Sequence, residues 1–430
     1  MVGVISFLCL FALILTSIPI GFAMAFVGFV GFAVIVGWKG AFTIAALTSW
    51  DTVAHYSFSV IPMFLFMGNL AFRARIGEDA FRTARLWVGH IRGGLTHSTI
   101  VAGAVLGAAT GSSIASAATL AKIAVPEMKR YGYSTELAAG SVAAAGCLAS
   151  MIPPSTAQVL FAMVTQQSIS KLLIAGILPG ILLTVIYMIA MLIYFRIRPG
   201  KFGGKLASAN WGERLKSAKN VAPVAFIFLM VMGSMYTGIA TPTEAAAVGA
   251  TSILIASFVM RRMNLRTLWE ATVDTTVTTA MVFVILVGAL IFNNLLAVSR
   301  IPAIAADYIS ALPVPPLVVL LAIMAMYIFL GMFMEGPSML FLTMPTIFPI
   351  AQAMGWNPIW FGILYMMIAE VGMITPPVGA TLFGTKSSLP DVTMAEIYRG
   401  IIPFFFADIV VLALLIAFPQ ISLLLPGLMK

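Results

Sequence analysis

Charge is what this sequence has least of. Only 9% of its 430 residues are Asp, Glu, Lys or Arg, against about 25% in a soluble domain. With 61% hydrophobic residues and a mean hydropathy of +1.06, the chain has too little polar side chain to wet the surface of a globule, so it reads as an integral membrane protein. Cysteine is almost missing as well: Cys9 and Cys147 are the two present, both in apolar segments, which argues against a disulfide framework or a metal site. The three histidines, His55, His90 and His97, are isolated from one another, and His90 and His97 are expected at the cytoplasmic interface. A Walker phosphate loop, an HExxH pair and a GxSxG elbow are all absent. The enzymatic readings lose their support, and without a nucleotide site any transport must run on an ion gradient or a partner's energy. The first 38 residues lack Lys and Arg, so they have no positive n-region and read as retained membrane helix rather than a cleaved leader.

The charge that is present is unevenly placed. The net charge of +9 could suggest a nucleic-acid partner, but its distribution argues against one. Arg196, Arg198, Lys201, Lys205, Arg214, Lys216 and Lys219 fall in one polar stretch, 195–219, beside a single acid, Glu213. Arg73, Arg75, Arg82, Arg85 and Arg92 form a second group, and Arg261, Arg262 and Arg266 a third. Positive charge concentrates on the cytoplasmic side of membrane proteins, which assigns these three loops inside.

A shift of 223 residues lays the chain on itself. Pro19 falls on Pro242, Pro126 on Pro349, Gly132 on Gly355, and Pro153-Pro154 on Pro376-Pro377. Four of the seven prolines before residue 208 thus meet a proline, where chance would give about half a match, so an internal duplication is expected. Related halves with breaks in corresponding apolar segments are the pattern of a secondary transporter.

A helix needs about 20 apolar residues to cross a membrane. That ruler gives spans near 2–18, 21–37 and 56–72, an amphipathic interfacial arm over 76–91, a re-entrant hairpin within 95–127, a helix over 134–165 broken at the proline pair, and a return span at 172–194. The hairpin follows from length: two arms of about 16 residues reach only about 24 Å. The second half repeats the scheme with spans near 221–238, 245–260 and 275–298, a hairpin within 315–350, a broken helix at 357–385 and a last span at 400–418. The expected fold is therefore an all-α polytopic membrane protein of two repeats. The first, 1–207, holds scaffold spans and arm (1–94), hairpin and broken helix (95–171) and return span, with the basic loop 195–219 leading into the second, 220–430. Five crossings per half make the repeats inverted in topology, with the N-terminus outside and the second hairpin opening outward.

Proline lacks an N–H and frees the carbonyl four residues earlier in a helix. Pro153 and Pro154 are expected to free Ala149 and Ser150, and Pro376 and Pro377 to free Gly372 and Met373. With the hydroxyls of Ser155, Thr156, Thr375 and Thr381, each break becomes a candidate oxygen cage for a hard monovalent cation. Hairpin tips at Gly111-Ser112-Ser113 and at Gly331 with Glu335-Gly336-Pro337-Ser338 complete the cages, and their helix N-termini suit a carboxylate. Small residues at packed helix interfaces and ligand-free proline kinks account for the same motifs singly. Glu335, Glu370 and Asp408 are candidates as intramembrane acids, with interface placement or pairing as the other reading. Thr241-Pro242-Thr243-Glu244 reads as a capped helix start.

Several stretches together resemble the large membrane subunit of tripartite ATP-independent periplasmic (TRAP) transporters of the dicarboxylate and sialic acid uptake class. They are Gly111-Ser112-Ser113 through Ala118, Ile123-Ala124-Val125-Pro126-Glu127-Met128, Gly132-Tyr133-Ser134, Ile152-Pro153-Pro154-Ser155, Ala175-Gly176-Ile177-Leu178-Pro179-Gly180, Thr241-Pro242-Thr243-Glu244-Ala245-Ala246 and Ile374-Thr375-Pro376-Pro377-Val378-Gly379. The resemblance implies an elevator-type, sodium-coupled importer in the bacterial inner membrane, both termini periplasmic, without an organic cofactor. Its implied partners are a small four-helix membrane subunit, expected as a separate chain because this one begins at the large subunit's first span, and a periplasmic substrate-binding protein. Family sodium sites map onto Ser112, Ser113 and Ser155 on one side and Gly331, Gly372, Thr375 and Val378 on the other, with Ala149 and Ser150 joining the first through their freed carbonyls. Ala108, Ala149 and Ile152 stand opposite Gly331, Gly372 and Thr375, so unequal sites are expected. A substrate carboxylate is expected between Ser113, Pro154, Ser155 and Thr156 and Gly336, Pro337, Ser338, Pro377, Gly379 and Thr381. Two other classes compete: a stand-alone sodium-coupled anion carrier, which would work without a binding protein, and a scaffold or channel subunit, which would show no ion coupling.

Overall fold

The computed structural model describes residues 2–16, 18–198 and 206–429. Lys201 and Lys205 of the basic loop lie outside the described residues. Among the described residues all regular structure is helical. The first half opens with α1 (Val2–Leu15), α2 (Ile20–Val36) and α3 (Trp38–Ala54), then, after one 3-10 turn, α4 (Val60–Arg73) and α5 (Ile76–Val88). It continues with α6 (Gly94–Thr110), α7 (Ser113–Arg130), α8 (Thr135–Met151), α9 (Thr156–Val164), α10 (Ile169–Ala175) and α11 (Ile177–Ile197). The second half runs α12 (Trp211–Tyr236), α13 (Pro242–Val259), α14 (Leu265–Ser299), α15 (Ile301–Ala311), α16 (Pro316–Gly331), α17 (Gly336–Ala353), α18 (Pro358–Met373), α19 (Ala380–Ser387), α20 (Met394–Ala417) and α21 (Gln420–Gly427).

Local chemistry sets these boundaries. Thr241 caps α13 from outside, its hydroxyl accepting from the Glu244 amide while Glu244 reaches back to the Thr241 amide at 2.8 Å, with Pro242 in the first turn. The same reciprocal cap starts α20 at Thr393 and Glu396. Ser112 and Ser134 cap α7 and α8, and Asn357 caps α18 ahead of Pro358. Helix α8 stops at Met151 because Ile152-Pro153-Pro154 cannot continue it. Among the described residues five helical segments are long and apolar enough to cross a membrane: Ile169–Ile197, Trp211–Tyr236, Pro242–Val259, Leu265–Ser299 and Met394–Ala417. Two bent pairs, α3 with the segment Tyr56–Arg73 (55°) and α8 with α9 (44°), raise the number to seven.

Two expectations need correction, and that of the arm gains detail. The stretch 195–219 is not all loop, because α11 carries Arg196 and α12 already begins at Trp211, where a cap by Asn210 and Glu213 starts it. The arm α5 does more than lie at an interface: Asp79, 9% exposed, is ion-paired to Arg262, and the buried Phe81 and Ala84 pack its inner face. His97, expected at the interface, is fully buried within α6, its ring edge-on to Phe195 at 6.5 Å.

The centre of the molecule is α8, buried from Leu137 to Met151. Its alanines and glycines let neighbours approach to backbone contact: a Cβ on Gly400 of α20 would lie 1.8 Å from the Glu136 carbonyl, and one on Gly140 would lie 2.1 Å from the Gly400 carbonyl carbon. Around α8 the halves interlock. The short helix α9 packs on α17 and α18 of the second half, and α19 packs on α7 and α8 of the first. A second layer of α2, α4, α13 and α14 pairs through α2 on α14 and α4 on α13. The hairpins are thereby set against α4 and α14.

Candidate functional site

Two hairpin tips face one cavity. The first turns at Gly111, whose left-handed φ of 62° closes α6; Ser112 then caps α7, accepting from the Ala115 amide at 3.4 Å. A Cβ on Gly111 would sit 2.6 Å from the Pro154 carbonyl oxygen, so this tip rests directly on the first break. Thr156, just past the break, donates its hydroxyl to the Gly111 carbonyl at 2.9 Å. The second tip is tied to the second break in a parallel way: the Gly379 amide donates to the Met332 carbonyl at 2.9 Å. Below it Gly331 and Gly372 cross, a Cβ on either lying 2.8 Å from the other's Cα.

Between the tips lies a cavity of about 290 Å³, walled on its far side by Ile61 and Leu65 of α4 and Thr278 and Met281 of α14. It gathers Ser112, Ser113, Ser150, Thr156, Gly336, Pro337 and Ser338 from the expected residues, together with two of the three candidate acids, Glu335 and Glu370. Its lining holds no Lys, Arg or His. Ala149, Pro154 and Ser155 sit beneath the first tip, and Gly331, Gly372, Thr375, Val378, Pro377, Gly379 and Thr381 are grouped around the second break; none of these belongs to the cavity lining. The substrate residues expected from the second break are therefore not brought to the cavity. The breaks differ in depth too: Pro153, Pro154 and Ser155 are buried, whereas Pro376 and Pro377 are exposed.

The expected carbonyls also need correction. Helices α8 and α18 end at Met151 and Met373, so both proline pairs, each joined by a cis peptide, stand in non-helical links and do not kink a continuous helix. The Gly372 carbonyl is not freed by Pro376, since it accepts from the Thr375 amide at 3.0 Å. The Thr375 hydroxyl donates to the Val371 carbonyl at 2.5 Å. What is left without a partner is side-chain oxygen: Ser155 Oγ, Thr381 Oγ1 and Glu370 Oε2 are all buried with no hydrogen bond.

Glu370 is the one acid at the heart of this arrangement. The residue is 4% exposed, and its Oε1 accepts from Ser113 at 2.7 Å and from Ser150, whose hydroxyls are 2.6 Å apart. A carboxylate of α18 is thus held by the first hairpin and by α8. Asp408, the other fully buried acid, accepts from Tyr187 at 2.6 Å and lies outside the cavity lining. Sequence reasoning missed Gln158, whose Nε2 donates to the Met151 carbonyl at 3.0 Å and caps the cut end of α8. It also missed Tyr365, whose hydroxyl donates to Gly336 at 3.0 Å. A buried glutamine three residues after a helix break was a legible signal; a tyrosine in an apolar helix was not.

Interlocked broken helices, paired hairpin tips and a polar cavity inside an apolar multi-helix chain define a membrane transporter. Residues 7–421 match the family model described as tripartite ATP-independent periplasmic transporter, DctM component, and the chain belongs to that family, the large membrane subunits of TRAP transporters. It is 34% identical over 383 residues to the C4-dicarboxylate TRAP transporter large permease protein DctM of Pseudomonas aeruginosa, covering 89% of each chain. It is 31% identical over 417 residues to the sialic acid TRAP transporter large permease protein SiaM of Vibrio cholerae, covering 97% of this chain and 96% of that one. The ectoine TRAP transporter large permease protein TeaC of Halomonas elongata is 28% identical over 415 residues, with 96% of each covered. Among solved structures the fold is similar to the YdaH transporter of Alcanivorax borkumensis, with a TM-score of 0.62 at 14% identity over 91% of this chain and 88% of that one. MtrF of Neisseria gonorrhoeae gives 0.61 at 12% identity over 89% and 85%. The role is transport, not catalysis.

Proposed function

We propose that this chain is the transporting subunit of a sodium-coupled importer of a small organic acid in the bacterial inner membrane. A periplasmic binding protein delivers the substrate and a small membrane subunit completes the carrier. The observation that carries the reading is the cavity between the hairpin tips, lined by Ser113, Ser150, Thr156 and Ser338 and without a basic residue. Hydroxyls and tip amides can bind a carboxylate, but nothing in the lining neutralises one, so the positive charge must arrive with the substrate.

The donor set fits sodium: the ligands are all oxygen, and Ser155 Oγ among them is buried without a partner. Ser112, Ser113, Ala149, Ser150 and Ser155 would hold one ion at the first tip and break, and Gly331, Gly372, Thr375 and Val378 a second at the other. Bound sodium supplies the countercharge. The protein's own residues fix the tips against the breaks. Helix bounds are in keeping with an internal repeat, since α7 and α17 begin at Ser113 and Gly336, 223 residues apart, and the loop charges favour inverting it. The layer of α2, α4, α13 and α14 would be the stationary scaffold and the hairpin body the elevator, with both termini periplasmic.

The test is uptake of labelled C4-dicarboxylate and sialic acid into proteoliposomes holding this chain with its small subunit, with and without an inward sodium gradient and a loaded binding protein. Uptake that needs both is the expected result. Sodium-driven uptake by this chain alone would favour a stand-alone carrier, and sodium-independent uptake would overturn the coupling.

A further inference from the structure

Glu370 has a spare oxygen in a place where charge is costly. Its Oε1 lies against two serine hydroxyls, while Oε2 is buried without a hydrogen-bond partner. Desolvating half a carboxylate is expensive unless a proton or a cation joins it. Beside it lies a small enclosed void of about 20 Å³, bordered by Ser150, Gly336, Tyr365 and Glu370 and otherwise by apolar side chains. That is room for one water-sized occupant. The oxygens at hand are Glu370 Oε2, Ser150 Oγ and the Gly336 carbonyl, which already accepts one hydrogen bond, from Tyr365 at 3.0 Å. No Lys, Arg or His borders the void or the larger cavity next to it.

We propose that Glu370 is the charged ligand of a monovalent cation seated in this void, and that this ion joins three elements: α8 through Ser150, the second tip through Gly336, and α18 through the carboxylate. The inference rests on the sodium-coupled reading above and deepens it, because the ion beside Ser150 is then held by a carboxylate from the other half and not by neutral oxygens alone. A consequence follows for the order of events. Glu335 and Glu370 both line the cavity, so an anionic substrate entering without the cation meets only negative charge. The cation therefore binds first.

The experiment reads binding without transport. Purified chain in detergent, with its small subunit where the chain alone is unstable, is titrated with sodium chloride against choline chloride at constant ionic strength, following thermal unfolding and radioactive sodium bound. Glu370→Gln keeps the shape and can still accept from Ser113 and Ser150 while removing the charge. The expected result is that Glu370→Gln needs about tenfold or more sodium for half-maximal stabilisation, with Glu370→Asp intermediate and both variants unfolding near the wild-type temperature in choline. Equal sodium dependence of wild type and Glu370→Gln overturns the proposal. If Glu370→Gln unfolds early in choline, Glu370→Asp, which keeps the charge and withdraws it by one methylene, decides the matter: a raised sodium requirement supports the site, and an unchanged one overturns it. Wild-type protein that ignores sodium would sink the coupling reading itself, a result distinct from a wild type that responds alongside a variant that does so equally.

Discussion

Gly140 and Gly400 meet with no side chain between them, and this contact allows α8 and α20 to touch through their backbones. Adding one methyl at Gly400 puts a carbon 1.8 Å from a carbonyl oxygen of the neighbouring helix, an overlap that only backbone displacement relieves. Gly400→Ala should therefore cost at least about 1–3 kcal/mol, read as a lower unfolding temperature of the purified protein. Gly212→Ala, on the open surface of α12 with nothing within 4 Å of the added carbon, should stay within about 0.5 kcal/mol of wild type. At this scale the sequence was partly legible. The proline pairs stand out because proline breaks a helix, and Ser112 and Ser113 because they follow a glycine midway along an apolar run. Glu370 stood out for its charge, but not its partners: Ser113 and Ser150 are 257 and 220 positions away, and no local spacing rule connects them. Likewise the Gly372 carbonyl is claimed by the Thr375 amide, an outcome that proline counting along an assumed continuous helix cannot foresee.

Helices here are fastened by a few polar contacts in an apolar surround, so each such contact has a measurable consequence. Arg262 ties the end of α13 to α5 through Asp79, whose side chain is only 12% exposed, and also donates to the Ala74 carbonyl at 3.3 Å. Arg262→Ala leaves that carboxylate unpaired and should cost about 1–3 kcal/mol; a second change, Asp79→Asn, should return part of the loss, as an unfolding series on the two single variants and the double would record. Nearer the cavity, Thr156→Val keeps the branched shape and cuts the bond from the first break to the Gly111 carbonyl. The tip is then less firmly placed while its packing is preserved. Uptake should show a raised apparent KM of several-fold with a stability change near 1 kcal/mol; an unchanged KM would mean the tip is positioned by packing alone. Hairpins and breaks were readable from length and Gly, Ser and Pro content. Helices α3 and α15 were not, because Lys39 and Arg300 are single charges and give the sign rule too little to count.

Across the whole molecule the 223-residue shift carries through to individual helix starts, but it is imperfect where the chain needs it to be. The 35-residue α14 is one unbroken helix, whereas its counterpart in the first half bends by 55° at His55, an extended residue whose ring accepts from the Ser57 amide at 3.3 Å. The matching position, Thr278, stays helical and lines the cavity. Loop charge orients the halves more decisively than helix shape does. Lys129 and Gln352 are separated by that same shift; both are exposed at the outer ends of α7 and α17. In an inverted repeat these two ends lie on opposite membrane faces, and in a parallel repeat on the same one. Cys9 is exposed and Cys147 buried, so both are first replaced by serine or alanine, and Lys129→Cys and Gln352→Cys are then made singly. A membrane-impermeant maleimide added to intact spheroplasts should label Gln352→Cys alone, and Lys129→Cys only once the membrane is opened. Labelling of both from outside would discard the inverted arrangement and with it the elevator reading, because a hairpin body whose two tips enter from one face has no second side on which to release its cargo.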